Sequence, residues 1–250
     1  MLEGKRIERV EIHRASVVKN SPDQFIQATQ GQLIRLIERR AKYILIHLER
    51  GGILGHLGMS GKFILDFKLK PIHSHDRVIF TLEDQSRLIF SEIRCFGFLE
   101  YLEDLATSER LERLGPDGLI DEIDPLAMRR RARGSRRNIK EWIMDQAVIA
   151  GIGNIYANEI LFAAQVKPTR QAGRISKAEW ERILKETKGI LELALIHNGT
   201  SISDYRRVDD KTGEFQGFLQ VYGKEGQPCP RCGRPIKKIT QGGRSSWYCC

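Results

Sequence analysis

No stretch of this 250-residue sequence stays apolar over the roughly 18 residues that a membrane-spanning helix requires. Its start, Met1-Leu-Glu-Gly-Lys-Arg-Ile, is too charged for a secretory signal. A membrane span and export are thereby set aside, and the chain reads as cytoplasmic. Cysteine is nearly absent from the body of the chain: Cys95 stands alone, and the other four crowd into the last 22 residues. That distribution excludes a disulfide-stapled fold, and in a reducing compartment it points to metal ligation. Acidic residues are also short, 32 against 41 Lys and Arg, leaving a net charge of +9 and a pI near 9.4. A basic excess favours an acidic polymer as partner, because Lys and Arg on phosphates release condensed counterions. Nucleic acid comes first and an anionic membrane second.

The first half alternates apolar and polar residues with period two, as in RIERVEIHR, KYILIHLE, KFILDF, RVIFTL and RLIFSEI, which predicts a β-rich domain over residues 5–103. A turn-rich break at Leu114-Gly-Pro-Asp-Gly follows. Beyond it, apolar residues three and four apart predict helices over 140–146, 154–164 and 177–198. A glycine- and charge-rich loop, about 199–215, leads into the cysteine-bearing end. The class is therefore α+β.

Cys229-Pro-Arg-Cys232-Gly is a knuckle whose two thiolates can share one tetrahedral zinc, and Cys249 returns after sixteen residues, enough for a two-stranded hairpin. Cys250 is the only remaining candidate for the fourth ligand, although adjacent cysteines serve one zinc poorly. Arg244, after a Gly-Gly turn, could hold a phosphate bidentately or stand simply solvated. Gly151-Ile-Gly-Asn154 opens a helix and offers either an anion site with Asn154 as cap or plain capping. Six arginines within 129–137, with Lys140 after them, read as a nucleic-acid surface or a solvated face. Lys42 opens an apolar run. Met59 and Phe96 sit in glycine-flanked turns, and Arg94 lies two residues before Phe96. Such apolar wedges can fill the gap left by an extruded base, or pack beneath their own loops.

Taken in order, RRAKY, HLGMSG, RCFG, IKEWIMD, GIGNIYANE, SDYRR, VYGKEG, PCPRCG and GGRSSWYC resemble the formamidopyrimidine-DNA glycosylase family over essentially the whole chain. The resemblance implies a β-sandwich domain over 1–113 and a linker over 114–128. A helix–two-turn–helix domain over 129–222 and a zinc ribbon over 223–250 follow, with one zinc ion. It implies a base-excision repair glycosylase and AP lyase for oxidised purines, working as a monomer on duplex DNA in the cytoplasm, beside the nucleoid. Met59, Arg94 and Phe96 would fill the hole, Arg94 facing the orphaned cytosine. Lys42, His75, Asn154 and Arg244 would contact the backbone around the flipped nucleotide. Lys140 would lie near the lesion pocket and Tyr205 in the lid. Lys42 and Arg244 match positions assigned proton-donor roles, although an arginine is a poor acid.

The family attacks C1′ of the deoxyribose with an N-terminal proline amine, forms a Schiff base and then eliminates on both sides of the sugar. Its Pro-Glu-Leu-Pro-Glu start has no counterpart here, since Gly4-Lys-Arg-Ile7 resembles the segment after the family's first helix and Glu3 is not the catalytic glutamate. The expectation is a fragment or an internal methionine taken as the start, rather than an inactive relative. As given, the polypeptide is expected to be inactive. The alternatives are a non-catalytic binder of damaged DNA and an oxidised-pyrimidine glycosylase of the endonuclease VIII type. An in-frame Pro-Glu-Leu-Pro-Glu run upstream favours the enzyme, and a stop codon there favours the binder.

Overall fold

A computed structural model describes all residues except 1, 198, 201–212 and 250. Two compact units emerge: Met1–Glu112 with Thr200–Glu214, and Arg113–Gly199 with Phe215–Cys250.

In the first unit the period-two segments become strands β1 (Ile7–Ile12), β2 (Ile34–Arg40), β3 (Tyr43–Leu48), β4 (Gly52–His56), β5 (Lys62–Asp66), β6 (Asp76–Leu82), β7 (Arg87–Ser91) and β8 (Phe98–Leu102). They form two antiparallel four-stranded sheets, ordered β1-β6-β7-β5 and β2-β3-β4-β8. Alternation sends one face of each strand inward, so Ile7, Ile34, Ile53, Val78, Phe80 and Phe90 share one core. Each fully buried side chain of that size contributes roughly 1.5–3 kcal/mol. Helix α1 (Pro22–Thr29) adds Phe25 to this core. It starts where the sequence says it should, with the Ser21 hydroxyl accepting from the Gln24 N–H at 3.3 Å and proline in the first turn. Edge strand β2 exposes Arg35, Glu38 and Arg39, charges that discourage pairing with another chain. A short helix, α2 (Glu109–Glu112), ends the continuous part of the unit.

The second unit carries α3 (Pro125–Ala132), α4 (Ile139–Ile143), α5 (Asn154–Ala163), α6 (Lys177–Ile196) and a hairpin of β9 (Lys237–Gln241) and β10 (Arg244–Tyr248). Its core centres on Trp142 and Trp180, whose rings lie 5.2 Å apart, with Ile139, Ile149 and Ile160 around them. Caps set the helix starts. Asp124 accepts from the Leu126 and Ala127 N–H groups, Asn138 from that of Glu141, and Ser176 with Glu179 forms a capping box on α6. Helix α4 is shorter than the expected 140–146, because the Asp145 carboxylate turns back to accept from the Ala147 N–H. The stretch expected as a linker is stitched into this unit: Gly115 and Gly118 donate to the Gln146 and Ala150 carbonyls, and Ala150 donates to Pro116. Among the described residues no helix is long and apolar enough to cross a membrane.

Candidate nucleic-acid interface

Five candidate residues of the first unit lie on loops at strand ends. Met59 follows β4 in a tight turn and is 65% exposed, while Phe96, between β7 and β8, is 60% exposed. Both side chains are thus presented to solvent rather than packed under their loops. The Arg94 guanidinium rests 4.9 Å from the Phe96 ring centroid, a cation–π contact that holds the two together. His75 is exposed just before β6, and its Nδ1 lies 3.2 Å from an Arg77 guanidinium nitrogen. Lys42 is exposed in the turn before β3, where Ala41 takes a φ of 55°.

These loops are tied down by polar groups beneath them. Burial, with help from the Lys42 and Arg110 cations, holds His56 below the ordinary histidine range despite the opposing Glu92. Its ring is therefore neutral near pH 7, and Nδ1 accepts from the Gly58 N–H at 3.0 Å, next to Met59. Glu92, fully buried after β7, accepts from the Ser60 hydroxyl and from the Arg94 and Gly97 N–H groups. Sequence reasoning missed it. The only signal was one acidic residue closing the apolar run RLIFSE. Cys95 is half-buried at a φ of 55° within this loop and packs against the core.

In the second unit, Asn154 is the first residue of α5, not its cap. Gly153 occupies the cap position and no side chain caps the helix there. The Asn154 Oδ1 is buried with no hydrogen-bond partner, an unmet acceptor at a helix start. Arg244 is exposed as the first residue of β10, opposite Gln241, after a two-residue turn in which Gly242 and Gly243 have φ of 51° and 71°. Positive φ at both positions makes this a type I′ hairpin, which only glycine-like residues adopt without strain. Gly242 also lies against the Glu141 carboxylate, which a Cβ would have to displace.

Lys140, expected near the lesion pocket, is 1% exposed. Its ammonium donates to the Ser245 carbonyl at 2.6 Å and the Ser246 hydroxyl at 2.7 Å. With both acceptors on β10, it braces the strand that begins at Arg244 and is not turned to solvent. Burial chiefly, then the Arg244 charge, lowers its pKa to about 8 against the pull of Glu141. Because the folded value lies below the ordinary 10.5, the unfolded chain takes up this proton first as pH falls. Stability is therefore expected to fall between about pH 10.5 and pH 8 and to level off below that range. Urea titrations across this window should show the slope in the wild type and not in Lys140→Met. The variant should also bind duplex DNA several-fold more weakly, since Ser245 and Ser246 lose their donor.

The segment Asn154–Ala163 does more than the glycine turn before it suggested. The Asn158 amide accepts from the Trp247 N–H at 2.8 Å, fastening β10. Buried Glu159 accepts from three consecutive N–H groups, those of Gln220, Val221 and Tyr222, at 2.8–3.1 Å. Phe162 joins Val221, Cys229 and Ile236 in the small ribbon core, with the Arg231 guanidinium 3.8 Å above its ring. Neither Asn158 nor Glu159 was singled out from sequence, where polar residues inside a helix look solvated.

Cys229, Cys232 and Cys249 converge, with all sulfurs within 4.8 Å of one another and Cys232 and Cys249 3.3 Å apart. Thiolates around one tetrahedral zinc stand about 3.8 Å apart, so this donor set fits that ion. The Cys229 N–H bonds the Arg234 carbonyl, and the Gly233 N–H returns to Cys229, closing the knuckle. The Arg234 guanidinium donates to Cys232 and lowers its thiol to about 6, whereas burial and the neighbouring thiols push Cys249 up to about 11. Cys250 and Tyr205 lie outside the described residues. In the arginine cluster, Arg131 donates to the Ala147 carbonyl, Arg137 pairs with Asp145 at 3.0 Å, and Arg130 lies 3.6 Å from Asp124.

Residues 1–99 match the family model for the formamidopyrimidine-DNA glycosylase N-terminal domain, and 114–206 match that for its H2TH domain. Residues 226–249 match a zinc finger found in FPG and IleRS. The chain is 40% identical over 248 residues to the formamidopyrimidine-DNA glycosylase of Pseudomonas savastanoi pv. phaseolicola, and 37% identical over 247 to that of Marinobacter nauticus. Each alignment covers 99% of this chain and 92% of the relative. This chain belongs to the formamidopyrimidine-DNA glycosylase family. The fold agrees: the Lactococcus lactis Fpg in complex with abasic-site DNA is similar at a TM-score of 0.91 and 30% identity, covering 99% of this chain and 92% of that one. The wild-type Lactococcus lactis protein with N7-benzyl-Fapy-dG DNA is similar at 0.92 and 29%, with the same coverage. Met59, His75, Arg94 and Phe96 fall in the glycosylase N-terminal match, Lys140 and Asn154 in the H2TH match, and Arg244 with the three converging cysteines in the zinc-finger match.

Proposed function

We propose that this protein is a base-excision repair DNA glycosylase and AP lyase for oxidised purines, acting as a monomer on duplex DNA in the cytoplasm. The observation that carries the reading is the pair of exposed loops bearing Met59, Arg94 and Phe96, apolar wedges beside a cation on a family scaffold. Flipping a nucleotide costs about a few kcal/mol in lost stacking, least for a damaged or mispaired base. Met59 and Phe96 offset that cost by filling the gap, and Arg94 hydrogen-bonds the orphaned partner base. His75 and Asn154 contact the backbone, and Arg244 clamps a phosphate with its planar fork. Lys42 is the acid we assign to the eliminations; Arg244, a poor acid, keeps the phosphate role. Tyr205 belongs to the lid. One zinc ion, held by Cys229, Cys232 and Cys249 with Cys250 as the candidate fourth ligand, fixes the ribbon that presents Arg244. Functionally the chain divides into a β-sandwich domain (1–113), a connecting stretch (114–128), a helical domain (129–222) and a ribbon (223–250).

The relatives carry the name of the activity, and the Lactococcus lactis complexes contain Fapy-dG and abasic DNA. Both support a lesion-directed reading for this chain. The test is affinity for duplexes containing 8-oxoguanine opposite cytosine, thymine glycol, or no lesion, followed by borohydride. A preference for 8-oxoguanine of about tenfold or more is expected. Equal binding to all three would sink the reading, and thymine-glycol preference would favour the endonuclease VIII-type alternative. Borohydride on the same duplexes reads whether a Schiff base forms.

A further inference from the structure

We propose that Glu92 is the positioning residue for the lesion-probing loops. The proposal rests on the reading above for what those loops do, and on the geometry alone for how they are held. Glu92 is fully buried directly after β7, and Ser60, on the other loop, is 2% exposed. The Ser60 hydroxyl donates to Oε1, the Arg94 N–H donates to Oε1 at 3.0 Å, and the Gly97 N–H donates to Oε2 at 3.0 Å. One carboxylate therefore bridges the residue after Met59 and residues on both sides of Phe96. A third loop meets the same residue through its backbone, since the Glu92 N–H donates to the His75 carbonyl at 2.9 Å. The Glu92 carbonyl in turn accepts from Arg77 Nε at 2.6 Å.

The glycines around it face backbone and carboxylate together: a Cβ on Gly61 would collide with the Leu57 carbonyl oxygen, and one on Gly97 would lie 2.7 Å from that of His56. A Cβ on Gly97 would lie 2.8 Å from Oε2, one on Gly61 2.9 Å from it, and one on Gly58 2.6 Å from the Gly97 nitrogen. A buried carboxylate is tolerated only when its oxygens are met by donors, so three donors on two loops are obliged to stay. The spacing between Met59 and the Arg94–Phe96 pair is thus set before DNA arrives, and ordering the loops costs little on binding. A glutamine cannot reproduce this. Whichever way its amide points, its NH₂ faces a backbone N–H, of Gly97 in one orientation and of Arg94 in the other.

The test compares the wild type with Glu92→Gln. Amide exchange of the free protein should show Arg94 and Gly97 protected in the wild type, with protection lost by about tenfold or more in the variant. On a duplex carrying a tetrahydrofuran abasic analogue beside 2-aminopurine, the variant should lose the emission rise that reports insertion. Its preference for that duplex over undamaged DNA should fall about tenfold, while undamaged affinity stays within about twofold. In a Phe96→Ala background, Glu92→Gln should add little further loss. If Glu92→Gln fails to fold, Ser60→Ala removes one donor and should move every readout the same way by a smaller factor. Unchanged exchange at Arg94 and Gly97, or an equal loss on damaged and undamaged DNA, overturns the proposal. A wild type without lesion preference removes the functional reading instead, and the exchange arm still decides whether Glu92 fixes the loops.

Discussion

Chelation of zinc, or Cys229→Ser, is expected to leave both units' cores folded while lowering affinity for duplex DNA by at least about tenfold, the loss of one well-made charged contact. The ribbon has little else to hold it. Its apolar cluster is Phe162, Val221, Cys229 and Ile236 with Trp247 and Cys249 against them, and of the six only Trp247 comes from the strands. An isolated two-stranded hairpin is marginal in water, whereas a structural zinc contributes about 10–16 kcal/mol in finger peptides. The Lys140 and Asn158 bonds reach β10 from the helical side, whereas β9 is tied more weakly, by the Gln241 amide donating to the Pro168 carbonyl at 3.3 Å and by the exposed Lys238–Glu225 ion pair. Without metal, β9 should release first and the Gly-Gly turn that aims Arg244 should lose its register. Zinc content by atomic absorption, tryptic cleavage after Lys237 or Lys238, and DNA affinity check this together. A metal-free protein with an intact hairpin and undiminished affinity would refute it.

Glu159→Ala is expected to destabilise the helical unit by about 3 kcal/mol, because the buried Val221 N–H and the part-buried N–H groups of Gln220 and Tyr222 lose their acceptor at once, and an orphaned donor costs about 1–3 kcal/mol, most when fully buried. For a unit between 100 and 150 residues long, about 3 kcal/mol lowers the melting midpoint by roughly 10–15 °C. Glu159→Gln keeps one acceptor oxygen and should fall between the two. Calorimetry on all three proteins is the check, and a shift within about 2 °C for the alanine variant would mean that the 220–222 backbone finds other acceptors.

The β sandwich was legible because burial on one face leaves a period-two trace, and the knuckle because metal geometry fixes cysteine spacing. The wedges were legible as a question, since a methionine between glycines has little around it to pack against. The burial of Lys140 was not legible for a physical reason: its sign suits a phosphate, but the Ser245 carbonyl and Ser246 hydroxyl that satisfy it lie more than a hundred residues away in sequence. Glu92 and Glu159 were hidden in the same manner. A carboxylate reads as solvated in a sequence, and only tertiary structure brings backbone N–H groups around it. Asn154 came out one position from its expected place, because capping preference names residue types and leaves open whether a preceding glycine takes the cap.

The arginine-rich stretch has a further consequence, in the response to ionic strength. Of its six arginines, Arg130, Arg131 and Arg137 already face a carboxylate or a carbonyl of their own chain. Each phosphate neutralised by a cation steepens the salt dependence of duplex affinity by about 0.9 in the log–log slope. If only the other three arginines displace counterions, this stretch adds about 2.7 to that slope rather than about 5.4. On that count, charges that already serve the helical unit's own connections add little to its hold on DNA, and salt should weaken the grip less than the composition implies.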